Sequence, residues 1–324
     1  MRPQRGDGVV ESTTPDVYEE LRPLLFSIAY RMLASVTEAE DVVQEAFLRY
    51  HRARSEGQEI ESPKAFLSTV TTRLSIDHLR SARVRRESYV GEWMPEPLLT
   101  DAGASDPADL AEQADTLSMA FLLLLERLSP VERAVFLLRD VFGYGFDEVA
   151  AIVEKSEANC RQLASRARRH IADGRPRFEA SRAARDKLAR RFFAAVGDGN
   201  IDDLVSVLAA DVVVYGDSGG RPPSWPRPIV GRDNVSRLML GLGEQARQVG
   251  VVIRPMEING QPGALVLDSD GRLVNVFSLD IADGAVQTIR SVINPDKLRH
   301  LGPLADVRGL MSQRARAVRH FVHR

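Results

Sequence analysis

The sequence predicts a multidomain chain in which two all-α units precede one α+β domain. Three observations carry this expectation. Residues 17–90 and 116–175 show apolar stripes at helical spacing between strong cap signals. Residues 89–115 carry seven acids, no Lys or Arg, and Pro95, Pro97 and Pro107, which together read as an extended linker. Beyond residue 184, helical segments give way to short runs rich in Val, Ile and Leu, separated by Asp-Gly pairs.

Residues 1–16 lack the apolar segment of a signal peptide and read as a disordered lead-in. Thr14-Pro15 suits a helix start, because a proline at the first helical position loses no hydrogen bond. Thr37 and Glu40 are expected to form a capping box for the next helix, with Ala39, Val42, Val43, Ala46, Phe47 and Tyr50 on its buried stripe. Ser62-Pro63 opens a third helix, whose Phe66, Val70 and Leu74 point inward. Ser129-Pro130-Val131-Glu132 unites an N-cap, a first-turn proline and a capping box. Gly143 and Gly145 interrupt the chain before a short helix at 146–153, a turn at 154–156 and a longer helix from Glu157. In the last third, helices are expected at 184–196, 201–209 and 232–242. Strands are expected at 211–216, 251–258, 263–268, 272–281 and 285–293, as a meander turning at Asp270-Gly271 and Asp283-Gly284. The tail, 299–324, has six arginines against Asp306 and could place Val307, Leu310, Met311, Val318 and Phe321 on one helical face.

Charge is segregated. The 324 residues hold 43 Lys+Arg and 45 Asp+Glu, a net charge of −2. Yet Arg73, Arg80, Arg83, Arg85 and Arg86 face only Asp77 within one helix, and a second basic helix follows about eighty residues later. Basic helices in a neutral protein are an electrostatic footprint for nucleic acid. The lone Cys160 excludes an internal disulfide and suits a cytoplasmic location, and no apolar run is long enough to span a membrane.

Helix, short turn, basic helix is the helix-turn-helix pattern. With Cys160, Leu163, Ala164, Ala167 and Ile171 buried, the outward side chains are Asn159, Arg161, Gln162, Ser165, Arg166 and Arg169. Asn, Gln and Arg can each make paired hydrogen bonds to base edges in the major groove. Phe66, Tyr89 and Trp93 flank the first arginine run and could stack on unpaired bases or, equally, serve as core or linker anchors.

With these motifs in this order, the first 175 residues resemble a bacterial sigma factor of the extracytoplasmic-function type. Val17 to Val90, with Glu40-Asp41-Val42-Val43-Gln44-Glu45-Ala46-Phe47, resembles its region two; Phe121 to Ile171 resembles its region four. The resemblance implies that Asp41, Gln44, Glu45 and Leu48 contact RNA polymerase core enzyme. It also implies that Ser62 to Arg86 opens the minus-ten element of promoter DNA, that the Glu157 helix reads the minus-thirty-five element, and that the acidic linker (91–115) threads the polymerase channel.

The remainder, 184–298, resembles the SnoaL-like cone fold also used by ketosteroid isomerases, which a subgroup of these sigma factors carries. Three short motifs support that placement: Trp93-Met94-Pro95-Glu96-Pro97-Leu98, Asp217-Ser218-Gly219-Gly220-Arg221 and Asn294-Pro295-Asp296-Lys297-Leu298. They are expected to hold this regulatory domain against the helical ones. Catalysis is not expected. Asp211, Asp217, Asp233, Asp268 and Asp280 mostly fall where turns or strand ends would expose them, and no histidine lies within 185–293. Neither a metal nor another cofactor is expected, given the lack of a His/Cys cluster. A small-molecule ligand could sit in a pocket lined by Tyr215, Trp225, Met239 and Phe277. Two other readings stay open on sequence alone: a ligand-responsive helix-turn-helix regulator, and a cone-fold enzyme tethered to DNA.

Overall fold

The computed structural model describes residues 14–87, 89–100, 115–172, 181–222, 227–307 and 309–310, with side chains from Val17 and not for 82–87. Three helices form the first unit: α1 (Thr14–Leu33), α2 (Val36–Ser55) and α3 (Pro63–Glu87). All six residues of the expected α2 stripe are buried. Its cap differs from the expectation. The helix begins two residues earlier, with Ser35 as N-cap accepting from the Glu38 amide at 3.1 Å, and Glu40 pairs instead with Arg22 at 2.9 Å. Ser35 caps as well as Thr37 would, and the carboxylate that completes the cap arrives from a distant segment, described below.

The second unit contains α4 (Met119–Leu125), α5 (Pro130–Phe136), a π turn (Leu137–Val141), α6 (Phe146–Val153) and α7 (Glu157–Ala172). The Ser129–Glu132 capping box forms as expected. Glu154 takes a left-handed conformation (φ 55°) to end α6, so the chain reverses into α7 within three residues. The two units share one continuous buried core, from Val17 to Ile171. Arg133, only 2% exposed, crosses between them: it donates to the Met32 carbonyl at 2.7 Å and pairs with Glu126 at 2.9 Å.

The C-terminal unit opens with α8 (Arg182–Asp198) and α9 (Ile201–Val207). It continues through β1 (Leu208–Asp217), β2 (Ile229–Val230), α10 (Arg232–Gln248), β3 (Val252–Ile258), β4 (Gln261–Leu267), β5 (Leu273–Ala282) and β6 (Ala285–Val292). The sheet order is β2-β1-β6-β5-β4-β3. β3 to β6 form the expected meander, but β1 runs parallel to β6, which a pure meander does not allow, and the two-residue β2 has no counterpart in the sequence reading. The helices cover the concave face, with Phe192, Val196, Val235 and Met239 against Leu279, Ile281 and Ile289. On the opposite face, Leu265, Leu267, Val276 and Val292 pack with Met94 of the linker and Met119 of α4. The back of the sheet is therefore the surface that joins this unit to the other two.

Among the described residues no helix is long and apolar enough to cross a membrane, and no cluster of His, Cys, Asp or Glu could hold a metal ion. The side chains of Arg83, Arg85 and Arg86, linker residues 101–114, Trp225, and Met311, Val318 and Phe321 of the tail lie outside the described residues.

Candidate functional site

The sequence-predicted contact residues of α2 and α7 lie on two separate surfaces. On α2, Asp41, Gln44 and Leu48 are exposed, and Glu45 is half-buried beside Arg49 at 2.8 Å. Leu48 is 43% exposed and lies among these acidic and polar side chains. On α7, Asn159, Arg161, Gln162, Ser165, Arg166 and Arg169 all face solvent, while the Cys160–Ile171 stripe is buried. Arg161 pairs with Glu157 at 2.8 Å and stacks over Phe146 at 5.1 Å; Arg166 approaches Glu132 at 3.5 Å. The exposed Arg161–Glu157 pair contributes little to stability.

The α3 arginines divide. Arg80 is exposed and pairs with Asp77 at 3.0 Å. Arg73 instead binds the helix-turn-helix unit. Its Nε donates to the Ile152 carbonyl at 2.9 Å, its Nη2 to the Ala151 carbonyl at 3.0 Å, and its Nη1 meets Glu154 at 2.9 Å. A guanidinium on the free carbonyls of a helix C-terminus satisfies groups that the helix cannot and complements its dipole. The link fixes α3 against α6. Ser68 and Tyr144 add a hydroxyl pair at 2.8 Å across the same seam.

The three motifs meet. Asp217, at the end of β1 and 1% exposed, accepts from the Met94 amide at 2.9 Å, from Lys297 Nζ at 2.6 Å and from the Tyr89 hydroxyl. Lys297 lies over the rings of Trp93 (4.5 Å) and Tyr89 (4.8 Å), so the buried ammonium has a carboxylate and two π faces as partners. Asn294 donates to the Tyr89 hydroxyl at 2.9 Å, and Arg221 pairs with Asp296 at 2.7 Å. Pro95 and Leu298 are buried beside them. Gly219 (φ 62°) and Gly220 (φ 74°) suit this approach, since a Cβ on Gly219 would lie 2.7 Å from Asn294 and one on Gly220 2.9 Å from Val90. Tyr89 and Trp93 thus join linker to C-terminal unit, and Phe66 packs on Tyr50 at 5.9 Å; none of the three is presented as a free stacking platform.

A second contact set was not foreseen. Glu96, 9% exposed, caps α2 from the linker: its carboxylate accepts from the Val36 amide (2.8 Å), the Thr37 amide (3.1 Å) and Ser35 Oγ (2.8 Å). An anion at a helix N-terminus is favoured by the free amides and the dipole together. At the β3–β4 turn, Asn259 (φ 53°) and Gly260 (φ 69°) put a fully buried amide into the junction of all three units. Asn259 Nδ2 donates to the Tyr30 hydroxyl (2.7 Å) and to the Leu117 carbonyl (3.0 Å), while Oδ1 accepts from the Leu98 amide (3.0 Å). Tyr30 in turn donates to the Glu96 carbonyl at 2.6 Å. The linker continues as a short added strand, with Leu99 opposite Ile258 and the Thr100 amide on the Glu257 carbonyl at 3.1 Å. Asn-Gly between two strands is a strong hairpin signal that the sequence already contained; nothing local marks Tyr30 or Glu96 as its partners. Burial raises the phenol pKa of both Tyr30 and Tyr89, and for Tyr89 the adjacent Asp217 carboxylate raises it further. Burial lowers that of Arg31, which reaches Thr116 at 3.3 Å, to about 10.

The expected exposure of the acidic residues is corrected in part. Asp211 and Asp233 are exposed, but Asp217, Asp268 and Asp280 are buried and committed: to Lys297, to the amides of its own turn, and to Arg290. The pocket lies on the concave side. Met239 and Phe277 line it as expected; Tyr215 packs instead on the opposite face.

Comparison with known proteins agrees with this architecture. Residues 17–85 match Sigma-70 region 2, residues 118–171 match Sigma-70 region 4, and residues 189–293 match the SnoaL-like domain. The extracytoplasmic-function (ECF) RNA polymerase sigma factor SigJ of Mycobacterium tuberculosis is 37% identical over 314 residues, spanning 92% of this chain and 97% of its own. SigI, a probable ECF sigma factor of the same species, is 34% identical over 86% of this chain and 92% of its own. The SigJ crystal structure superposes with a TM-score of 0.69 over 89% of this chain and 99% of that one, at 36% identity. The chain belongs to the ECF RNA polymerase sigma factors that end in a SnoaL-like domain.

Proposed function

We propose that this sigma factor binds RNA polymerase core through Asp41, Gln44, Glu45 and Leu48, reads the minus-thirty-five element with the exposed face of α7, and opens the minus-ten element with the end of α3. The SnoaL-like domain modulates it by holding the linker. One observation supports this most: residues 93–100 are gripped by Asp217, Lys297 and Asn259 of that domain, while Glu96 caps α2 of the polymerase-binding unit. A linker engaged in this way is not available to a polymerase channel. Arg73 meanwhile keeps the two DNA-reading units at one fixed separation. Activity then requires release of both. The domain acts without turnover: its buried carboxylates are spent on interdomain and intrasheet pairs and leave no acid–base couple in the cavity. The site of action is the cytoplasm, where its partners are.

Co-purification with core polymerase tests the first part. Asp41→Arg/Glu45→Arg loses binding on this reading, and full retention overturns the α2 contact. Promoter transcription by the reconstituted holoenzyme tests the second. Lys297→Met raises activity above wild type if the linker is held back, and equal activity of the two folded proteins overturns the regulatory role.

A further inference from the structure

We infer that the outward face of α8, the first helix of the C-terminal unit, is a third DNA-contacting surface. Lys187, Arg190 and Arg191 bind backbone phosphates of the duplex beside the stretch held by α7, without regard to base sequence. This rests on the reading of α7 as a DNA-reading helix given above.

The cations of α8 divide. Two are committed to the sheet: Arg182 pairs with Glu257 of β3, and Arg185, 6% exposed, donates to Gln261 at 3.2 Å. The other three, Lys187, Arg190 and Arg191, are exposed, and none has a carboxylate within ion-pair distance among the described residues. Arg191 has only a neutral partner, donating to Ser206 Oγ at 3.0 Å. The other basic helices bring counter-charges of their own: Arg161, Arg166 and Arg168 of α7 each meet an acid, as does Arg80 of α3. Asp186, the one acid inside the α8 run, is half-buried and forms no ion pair with Arg190 one turn later. Arg190 and Arg191 lie three and four positions after Lys187, a spacing at which like charges repel along a helix surface. A polyanion relieves that repulsion. Ala183 and Ala194 are exposed one turn to either side of the triplet, and their small side chains leave room for a phosphate backbone to approach.

Chain connectivity points to the partner. Helix α7 ends at Ala172 and α8 begins at Arg182. Ten residue steps span at most about 36 Å, close to one turn of B-form duplex. With α7 in the major groove, the start of α8 therefore lies within about one turn of the DNA-bound helix. Phosphates line the duplex over that whole reach, at one charge per about 1.7 Å of axis. Lys and Arg contacts to phosphate position a protein without reading bases. The α8 face thus adds affinity, while sequence preference stays with α7.

The test follows binding of the full chain to a mixed-sequence duplex about four turns long, by fluorescence anisotropy between about 50 and 200 mM salt. Lys187→Gln/Arg190→Gln/Arg191→Gln is expected to reduce the log–log salt slope by about 2.7 in magnitude. Over this fourfold range the wild type then loses about 40-fold more affinity than the variant. Lys187→Arg/Arg190→Lys/Arg191→Lys keeps the charges and should keep the wild-type slope, which a packing role for these side chains would not. A slope change below that of one phosphate, about 0.9, in the folded Gln variant overturns the surface, as does absence of wild-type binding at the lowest salt. A Gln variant that binds the duplex like wild type but loses affinity for core polymerase overturns DNA as the partner. Arg161→Gln/Arg166→Gln/Arg169→Gln on α7 is titrated in parallel. A slope that falls for this variant and not for the α8 one overturns the inference and leaves the α7 reading intact; the reverse keeps α8 as a DNA surface and removes α7 as one.

Discussion

Asn259→Ala removes one side chain from the junction of three units, and its cost can be worked from the geometry. The amide makes three hydrogen bonds inside a fully buried site: two donated, to Tyr30 and Leu117, and one accepted from the Leu98 amide. Deletion leaves the Leu98 amide without this partner in a half-buried position, and Tyr30 and the Leu117 carbonyl each lose a donor. At about 1–3 kcal/mol for a buried group left unsatisfied, the loss is about 3 kcal/mol after the carbonyl and hydroxyl partly re-pair. Alanine also keeps the strain of φ 53°, about 1 kcal/mol, which glycine would relieve. Hydrogen exchange at the Glu96 and Thr100 amides reports the docked linker, since both donate to backbone carbonyls (Ala34 and Glu257) that the substitution leaves in place. A fall of about 3 kcal/mol in local opening free energy speeds their exchange by about 150-fold. Asn259→Gly should exchange more slowly than Asn259→Ala. Acceleration below about tenfold in Asn259→Ala, or a glycine variant that opens as readily as the alanine one, would refute the assignment of Asn259 as the joint.

Other outcomes follow from the same geometry. Arg73→Gln loses a charge-assisted link to α6 worth about 1–2 kcal/mol after discount for exposure; energy transfer between dyes on α3 and α7 should fall, and an unchanged distance counts against the lock. Lys297→Met strands the buried Asp217 carboxylate and costs about 3–5 kcal/mol, whereas Lys297→Met/Asp217→Asn recovers most of it; thermal unfolding of both variants separates the pair from simple packing. Tyr30 and Tyr89 have folded-state pKa values above the unfolded value of about 10. Their protonated forms therefore stabilise the native state fully below about pH 10, and that stability is lost as the pH rises above it. Burial also raises the Tyr144 phenol, so an ultraviolet titration should show three of the six tyrosines ionising later than the rest, with linker release accompanying Tyr30 and Tyr89; uniform titration near 10 rejects this.

Much of the fold was legible because its determinants are local. The Ser129–Glu132 box, the α2 and α7 stripes and the Asp-Gly turns each lie within a few residues of the structure they specify. The linker motif and the two motifs that grip it were also identifiable, each as a short turn-forming or aromatic cluster. The α2 cap was misplaced by two residues because Ser35 and Thr37 are chemically similar candidates, and the deciding carboxylate, Glu96, lies 61 residues from Ser35 in sequence.

By itself, the sequence determined the division into two helical units and one α+β unit, the helix-turn-helix with its outward polar face, and the segregation of positive charge, since periodicity, caps and charge are properties of neighbouring residues. Tertiary structure alone decided that Arg73 binds α6 carbonyls, that β1 lies parallel to β6, that Asp217 and Lys297 are buried together, and that Asn259 joins three units. Those outcomes depend on which distant groups must share a desolvated space. A buried charge or amide takes whatever partner the packing brings within hydrogen-bond reach, and that identity is written in no local pattern.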